Sequence, residues 1–558
     1  CLIWLELGPS IVHNEVHSQI RHYLSESDVE SSSDDSVASA GPESDIDQAQ
    51  LDAPPIVNVV APVDIEDEDT DDQEAVQVIS DPIWSLRTAG MRRIPFTKEN
   101  KLLVPAPGTN DPIDWFFLLL DDTLLEKIVS ATNKNAWEIL FSPNLKIKSR
   151  INNWQELTVA ELKKFIGLIF HMGTVKINRL NDYWKTDRMF NFGFVRSQMS
   201  RDRFLLILRC LNFYESDEET VPDDRLYKVR LLIDYFNQKM KTIYYPSREL
   251  SIDEGMVLWR GRLHFRQYIQ GKRHKYGIKI YSLCEPDGLC VSFTVYSGKG
   301  GELGGKGHAS KVVKYLMRGM LGVGHSLYMD NYYISYPLAT ELLSEKTYCT
   351  GTMRSDRKHV PLDLKTARLA RGEKAERYAN GVLIAKWCDK RQVLYLSTEF
   401  ENDWAISMNR YNQPRQKPLP IIQYNAHMKG VDRNDQLMSY YAFEHKSIRW
   451  YKKIFVHFLQ TLLVNSFKLY LQTNPRKRSL YHFRLSIINM LLPAANAITP
   501  PLRPRQQTTV RHVLSKMDTP DNTGERMKRK RCRECSKTKK RTMTLFFCAQ
   551  CPGEPGLC

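Results

Sequence analysis

Long apolar runs are missing. Nowhere in the 558 residues do eighteen apolar side chains follow one another. A helix crossing a bilayer needs ~20, so no membrane partner is expected. The opening CLIWLELGPSIVHNEV has no basic n-region and does not read as a signal peptide. It also has no Met, as expected of a conceptual translation or a fragment. Residues 22–82 hold no Lys or Arg against 18 Asp or Glu. That stretch is rich in Ser and Pro and poor in aromatics. It cannot bury enough apolar surface to offset its chain entropy, and disorder is predicted there. Ser25, Ser27, Ser31 and Ser32 each stand three residues ahead of an acid, either as acid-directed kinase sites or as part of a solvated acidic tail. A disulfide framework is missing too. Cys210, Cys284, Cys290, Cys349 and Cys388 are scattered among apolar residues, the usage of core thiols in a reducing compartment. There is no internal repeat.

What is present, above all, is positive charge. The net charge is +15, but residues 83–558 carry 78 basic and 44 acidic side chains, a net of +34. A body this basic points to a polyanionic partner, most simply nucleic acid. From Asp111 the apolar spacing is helical in DWFFLLLDDTLLEKIVSATNKNAW and TVAELKKFIGLIFHMG, with Thr158 and Glu161 placed as a capping box. SRDRFLLILRCLNFYE and RLLIDYFNQKMKTIYYP continue the series. The period then changes. ELSIDEGMVLW, KYGIKIYSLCE, CVSFTVYSGK, SLYMDNYYIS and YCTGTMR read as strands, with a helix at YPLATELLSEK, which predicts a mixed α/β sheet. Residues 356–426 are basic, contain Pro and short strands, and read as an insertion. Helical patterning returns at MKGVDRNDQLMSYYAF and RWYKKIFVHFLQTLLVNSFKLYLQ.

Carboxylates recur where apolar strands end. Asp253 closes the apolar half of ELSIDEGM, Asp330 lies within SLYMDNYYIS, and Asp432 opens a helix with Asp435 three residues on, on the same face. Each alone fits a turn former or an N-cap. Together, two strand carboxylates and one from a helix could hold a hard cation such as Mg²⁺, and a pair of such ions can run an in-line phosphoryl displacement. In WRGRLHFRQYIQGKRHKYGIK, Arg260, Arg262, Arg266, Lys272, Arg273 and Lys275 alternate with Trp259, Phe265, Tyr268 and Tyr276. Cations there suit phosphates and aromatics suit unpaired bases, against the plainer reading of a solvated loop. Arg354, Arg357 and Lys358 follow the fifth strand.

Taken in order, SIDEGMVLWRGR, KYGIKIYSLCE, YMDNYYIS, GTMRSDRK and MKGVDRNDQ resemble the successive motifs of the piggyBac transposase family over residues 111–558. The resemblance implies an RNase H-like DDE/D catalytic core in an α/β protein, with a β-rich insertion, a helical dimerisation and DNA-binding domain from both flanks, and a C-terminal cysteine-rich zinc-binding tail. The corresponding boundaries are an acidic region 1–110, helical 111–249, core 250–355, insertion 356–426, third-Asp helix 427–442, helical 443–515 and tail 528–558. It implies catalytic Asp253, Asp330 and Asp432 holding Mg²⁺ or Mn²⁺, with Asp435 a further important acid and Arg354 and Arg357 turned to target DNA. It also implies cut-and-paste transposition of double-stranded DNA through hairpins at TTAA sites between terminal repeats, by a homodimer in the nucleus, with no small-molecule substrate. The competing reading is a domesticated, catalytically silent DNA-binding protein.

The tail carries Cys532-x₂-Cys535 and Cys548-x₂-Cys551, twelve residues apart, a structural zinc spacing. The family resemblance implies a two-zinc cross-brace. Two zincs need eight ligands, and the tail offers five, Cys558 included. Either one Zn²⁺ sits on Cys532, Cys535, Cys548 and Cys551 with Cys558 left over, or the tail is an incomplete cross-brace. The basic block RMKRKRCRECSKTKKR reads as a nuclear localisation signal, a DNA-binding arm, or both.

Overall fold

The computed structural model describes residues 81–493 and 514–558, except 89, 144, 147, 148, 192, 216–221, 271, 273, 409, 410, 448, 475–477, 521–523, 525, 526, 538, 539 and 550–552. The acidic stretch with its serines, Arg273 and Cys551 therefore lie outside the described residues.

The first apolar run splits in two. Helix α1 (Pro112–Leu119) begins on Pro. Asp121 then caps α2 (Asp122–Leu140), accepting the Leu124 amide at 3.0 Å, so one helix becomes two at the DD pair. Thr158 caps α3 (Val159–Thr174) through the Glu161 amide at 3.2 Å. The reciprocal half of the capping box is not made, because Arg203 of α4 (Arg201–Cys210) takes the Glu161 carboxylate at 2.7 and 2.5 Å. Helix α5 (Tyr227–Ile243) leads into the sheet.

Strands β1 (Glu249–Leu258), β2 (Tyr276–Cys284) and β3 (Cys290–Val295) form an antiparallel meander with β2 in the middle. Helix α6 (His308–Leu316) leads to β4 (Ser326–Met329), parallel to β1. Helix α7 (Tyr336–Ser344) leads to β5 (Tyr348–Thr352), parallel to β4. The spatial order is β3-β2-β1-β4-β5. All of β4 and all of β3 are buried, as expected of strands covered on both faces.

The reading of 356–426 as a β-rich insertion gains one refinement: its first three strands do not form a sheet of their own. Strands β6 (Lys374–Ala379), β7 (Val382–Cys388) and β8 (Gln392–Ser397) are present, but β8 pairs antiparallel with β5, Tyr395 opposite Thr352. They extend the main sheet to nine strands, counting the short Gln267–Tyr268 on β2. The edge of β5 was open, and β8 supplies its ladder partners. Only β9 (Trp404–Met408) and β10 (Pro414–Pro418) stand apart as a ribbon.

Helices α8 (Leu419–His427), α9 (Gly430–Ser439), α10 (Trp450–Thr473) and α11 (Leu480–Leu491) follow. Helix α10 is long and apolar enough to cross a membrane, yet 83% of its most apolar window is buried inside the protein. Trp115 of α1 meets its Tyr470 edge-on at 6.3 Å, and Tyr235 of α5 meets its Phe458 at 6.3 Å. It is the core helix that joins the two helical flanks.

A second refinement concerns residues 83–104, grouped above with the acidic region. Aromatic residues resume at Trp84 and Phe96, and the chain here is a strap along the sheet. Trp84 packs on Tyr336 at 5.4 Å and Ser85 bridges to Tyr378. The Tyr348 hydroxyl donates to the Arg92 carbonyl at 2.7 Å, and Phe96 lies on His325 at 4.9 Å. Asn100 donates to the Tyr244 hydroxyl at 2.7 Å and to the buried Glu285 carboxylate at 3.1 Å. Removing a donor from a buried acceptor costs ~1–3 kcal/mol. Glu285 keeps the Tyr244 hydroxyl and the Ser247 amide as donors, so Asn100→Ala is expected to lower the unfolding free energy by about 1 kcal/mol, the low end of that range, read as a lower midpoint of urea unfolding. An unchanged midpoint would show that the strap is not part of the fold.

Candidate active site

β1 and β4 run parallel with Ile252 opposite Met329. The next residue on each strand is an Asp, so Asp253 and Asp330 emerge side by side. Asp330 also makes the turn a bland reading would give it: its carboxylate accepts the Tyr332 amide at 3.0 Å, an Asx-turn. Arg357 pins the same loop, donating to the carbonyls of Tyr332 at 2.5 Å and Asn331 at 3.4 Å.

Helix α9 brings the other acids. A Cβ on Gly430 would lie 2.5 Å from the Glu285 carbonyl and from Ser251 Oγ, so glycine alone lets the helix start abut the sheet. The buried Asn434 donates to the carbonyl of Gly288 at 2.8 Å. Gly288 has φ +96°, a backbone that favours glycine. A Cβ on Gly255 would come within 3.1 and 3.2 Å of the Asp435 carboxylate oxygens, so Asp435 rests against β1 two residues from Asp253. Asp432 lies in the first turn of α9 and is exposed.

The electrostatics show that these groups share one space. Burial, then the neighbouring charges of Glu254 and Asp330, pushes the Asp253 carboxyl up to about 8, with Lys272 opposing. Burial raises Asp330 as well, with Glu254 next. Burial pushes Asp435 up to about 7, with Lys272 opposing and Asp432 adding. The Tyr424 hydroxyl of α8 is pushed up to about 12, first by burial and then by Asp330, Asp253 and Asp432 together. Among the described residues, no three of these carboxylates bring oxygens within 4.8 Å of one another. They influence one another without closing on a point. All donors are carboxylate oxygens, which suits a hard divalent cation. A cavity of about 370 Å³ adjoins the α9 acids, lined by Asp432, Asp435, Lys272, His274, Met438 and Phe443 among others; Asp253 and Asp330 are not in its lining.

A family model described as Transposase IS4 matches residues 111–467. The chain belongs to this transposase family, in its piggyBac branch. It is 27% identical over 460 residues to human PiggyBac transposable element-derived protein 3, covering 79% of this chain and 74% of that one. It is 25% identical over 382 residues to human PiggyBac transposable element-derived protein 2, covering 64% of this chain and 61% of that one. A piggyBac transposase solved by cryo-EM as a synaptic complex with hairpin DNA shares the fold, with a TM-score of 0.62 and 24% identity over 82% of this chain and 100% of that chain.

In this piggyBac-family chain the expected DNA-binding cations divide. Arg260, Arg262 and Lys275 are exposed between β1 and β2, and Lys358 is exposed after β5. Arg266 lies over Tyr276 at 5.5 Å, and the exposed Tyr268 and Tyr276 meet at a tilt of 46° with ring centroids 4.7 Å apart. Trp259 and Phe265 are instead buried, Phe265 against Trp450 at 5.3 Å, so they are core and not base platforms. Arg354 is half-buried, 3.5 Å from Asp356. Arg357 holds the Asp330 loop. Lys272 turns inward to the acids. Both of these last two cations were expected to contact DNA; each remains partly exposed and also makes these contacts within the chain. Gly255, Glu254, Gly430 and Asn434 were missed. A glycine two residues past a strand acid, and one opening the acid-bearing helix, were the available signals.

The cysteine tail also differs from expectation. Cys558 is not left over: its Sγ lies 3.3 Å from those of both Cys532 and Cys535, the one set of metal-capable groups so gathered among the described residues. Cys532 bridges in parallel to Gly556, which returns the chain end to the first cysteine pair. Cys548 is buried in a short strand, Phe546–Cys548, pairing with Leu514–Lys516, so the tail starts by residue 514 rather than 528. Three soft thiolates fit zinc.

Two outcomes follow. Carboxyls held at about 8 and about 7, well above the ordinary ~3.9, make the metal-free native state bind more protons than the unfolded chain. Their contribution to stability is therefore present near pH ~4 and lost as pH rises toward ~8. A divalent ion needs the unprotonated acids, so its affinity should climb from pH ~6 to ~8 with proton release. Calorimetric Mn²⁺ titration in buffers of different ionisation enthalpy checks this, and a pH-independent affinity contradicts it. For the tail, Cys558→Ser should strip zinc from the chain as fully as Cys532→Ser does, by elemental mass spectrometry. Full retention of zinc would return Cys558 to a leftover thiol.

Proposed function

We propose that this chain is a metal-dependent DNA transposase of the cut-and-paste type. The observation that carries the reading is the side-by-side placement of Asp253, within β1, and Asp330, just past the end of its parallel neighbour β4, with Asp432 on α9 acting on the same Tyr424 hydroxyl. The strand order β3-β2-β1-β4-β5, antiparallel then parallel, supports an RNase H-like core. Asp253, Asp330 and Asp432 would hold Mg²⁺ or Mn²⁺, and Asp435 would brace the site from behind. A bound divalent ion supplies activation of the attacking hydroxyl and charge stabilisation at phosphorus. The exposed Arg260, Arg262 and Lys275 would orient the duplex through phosphates.

One site serves successive displacements. Water attacks a phosphorus at the transposon end and the 3′ oxygen leaves. That 3′ hydroxyl attacks a phosphorus of the opposite strand at TTAA, the flanking strand's 3′ oxygen leaves, and the transposon end closes as a hairpin. Water attacks the hairpin phosphorus and releases the 3′ oxygen again, and that 3′ hydroxyl then attacks a phosphorus at a new TTAA, releasing the target's own 3′ oxygen. Zinc on Cys532, Cys535 and Cys558 would fold the tail beside its basic block for binding terminal repeats. A homodimer acting in the nucleus completes the reading.

Asp253→Asn, Asp330→Asn and Asp432→Asn are each expected to cut Mg²⁺-dependent nicking of a labelled end by more than ~100-fold, since loss of outer-shell partners alone costs 10–100-fold, with thermal melting preserved. Near wild-type nicking by any one removes that residue from the site. A wild-type chain that binds the ends but never nicks them favours the domesticated, silent reading.

A further inference from the structure

Lys272 sits in a basic, aromatic loop, yet its side chain leaves the solvent face and enters the acid cluster. Its Nζ donates to the Glu254 carbonyl at 2.8 Å and lies 3.9 Å from the Glu254 carboxylate. The loop is set for this: the Ile269 amide donates to the Lys275 carbonyl at 2.8 Å, and the Lys272 amide to the Ile269 carbonyl at 3.3 Å. Burial works against the charged ammonium, but Asp253, Glu254, Asp432 and Asp435 together hold it on. Among the described residues, Lys272 is the one cation that lowers the Asp435 carboxyl. Lys279 stands over Tyr281 and Tyr332 at 5.0 and 4.5 Å, and His274 faces Glu444 at 3.6 Å.

We propose that Lys272 is the resident counter-cation of the acid cluster, so that a divalent ion enters only by displacing its ammonium. The inference rests on the active-site reading above and adds how the site is kept intact when empty. A single positive charge among several carboxylates offsets their repulsion and keeps them from springing apart. A divalent ion offers twice the charge to the same oxygens and wins the space. Lys272 already lines the cavity beside Asp432 and Asp435, so its side chain has room to swing away from their carboxylates without leaving that space. Metal binding then swaps one cation for another, and Lys272 sets the ion concentration at which the site switches on.

The experiment is Mn²⁺ binding to the full chain without DNA, read by the spin-resonance signal of free Mn²⁺, with thermal melting alongside. Lys272→Met should bind Mn²⁺ about tenfold or more tightly than wild type, because a competing charge a few ångströms away is gone. Its metal-free melting temperature should fall, and saturating Mn²⁺ should close the gap. Lys272→Arg, which keeps the charge, should retain weak binding. If Lys272→Met does not fold metal-free, Lys272→Gln with Mn²⁺ present throughout gives the same affinity readout. Binding by these neutral variants that is equal to or weaker than wild type overturns the proposal. Adding Asp330→Asn to Lys272→Met separates the two readings. If the double variant binds as tightly as Lys272→Met, the ion is not in the acid cluster, and the active-site reading fails instead.

Discussion

Like charges held together in a half-buried space repel, and this constraint shapes the rest of the structure. Asp253, Glu254, Asp330, Asp432 and Asp435 all act on the same few groups. Left to themselves they would spread into water or take up protons. The surrounding fold prevents the first. Parallel pairing sets Asp253 beside Asp330, Arg357 ties the loop that Asp330 begins, and Asn434 fixes the turn of α9. Glycines at 255 and 430 remove the side chains that would hold helix and sheet apart. The raised carboxyls are the remaining strain, and a cation relieves it.

The helical frame serves the same end at longer range. Helix α10 is buried along most of its length and joins residues before the sheet to residues after it. The strap at 83–104 ties the far ends of β4 and β5 through His325 and Tyr348. A sheet anchored on both sides can hold an acidic edge within a body whose net charge is +34 over residues 83–558. On the proposed function, that contrast of sign suits a polyanion that must approach carboxylates: distant cations would attract it, and a divalent ion at the acids would complete the contact.

Much of this was legible in the residues. Strand and helix alternation marked β1 to β5, and the apolar flanks of Asp253 and Asp330 made their carboxylates stand out. The capping residues Asp121 and Thr158 do what their chemistry suggests. What was hidden depends on tertiary partners. Nothing in 374–397 says that its hairpin strands join β5 rather than one another alone, because edge pairing is decided by what is left open. Lys272 and Arg357 look like their exposed neighbours in a linear reading, and only the folded loop turns them inward. Trp259 and Phe265 fit a base-stacking pattern as well as a core pattern, and burial decides between them. Ligand arithmetic for Cys558 counted spacing along the chain, whereas the chain end returns in space to Cys532.

The central claim is that these acids gather to hold a divalent ion. Anomalous X-ray scattering from crystals of the chain soaked in Mn²⁺ tests it most directly. The account predicts a peak bounded by oxygens of Asp253, Asp330 and Asp432, near ~2.1–2.2 Å from each as for other small hard cations. Ordered acids with no peak among them, under conditions where Mn²⁺ is seen elsewhere in the crystal, would contradict it.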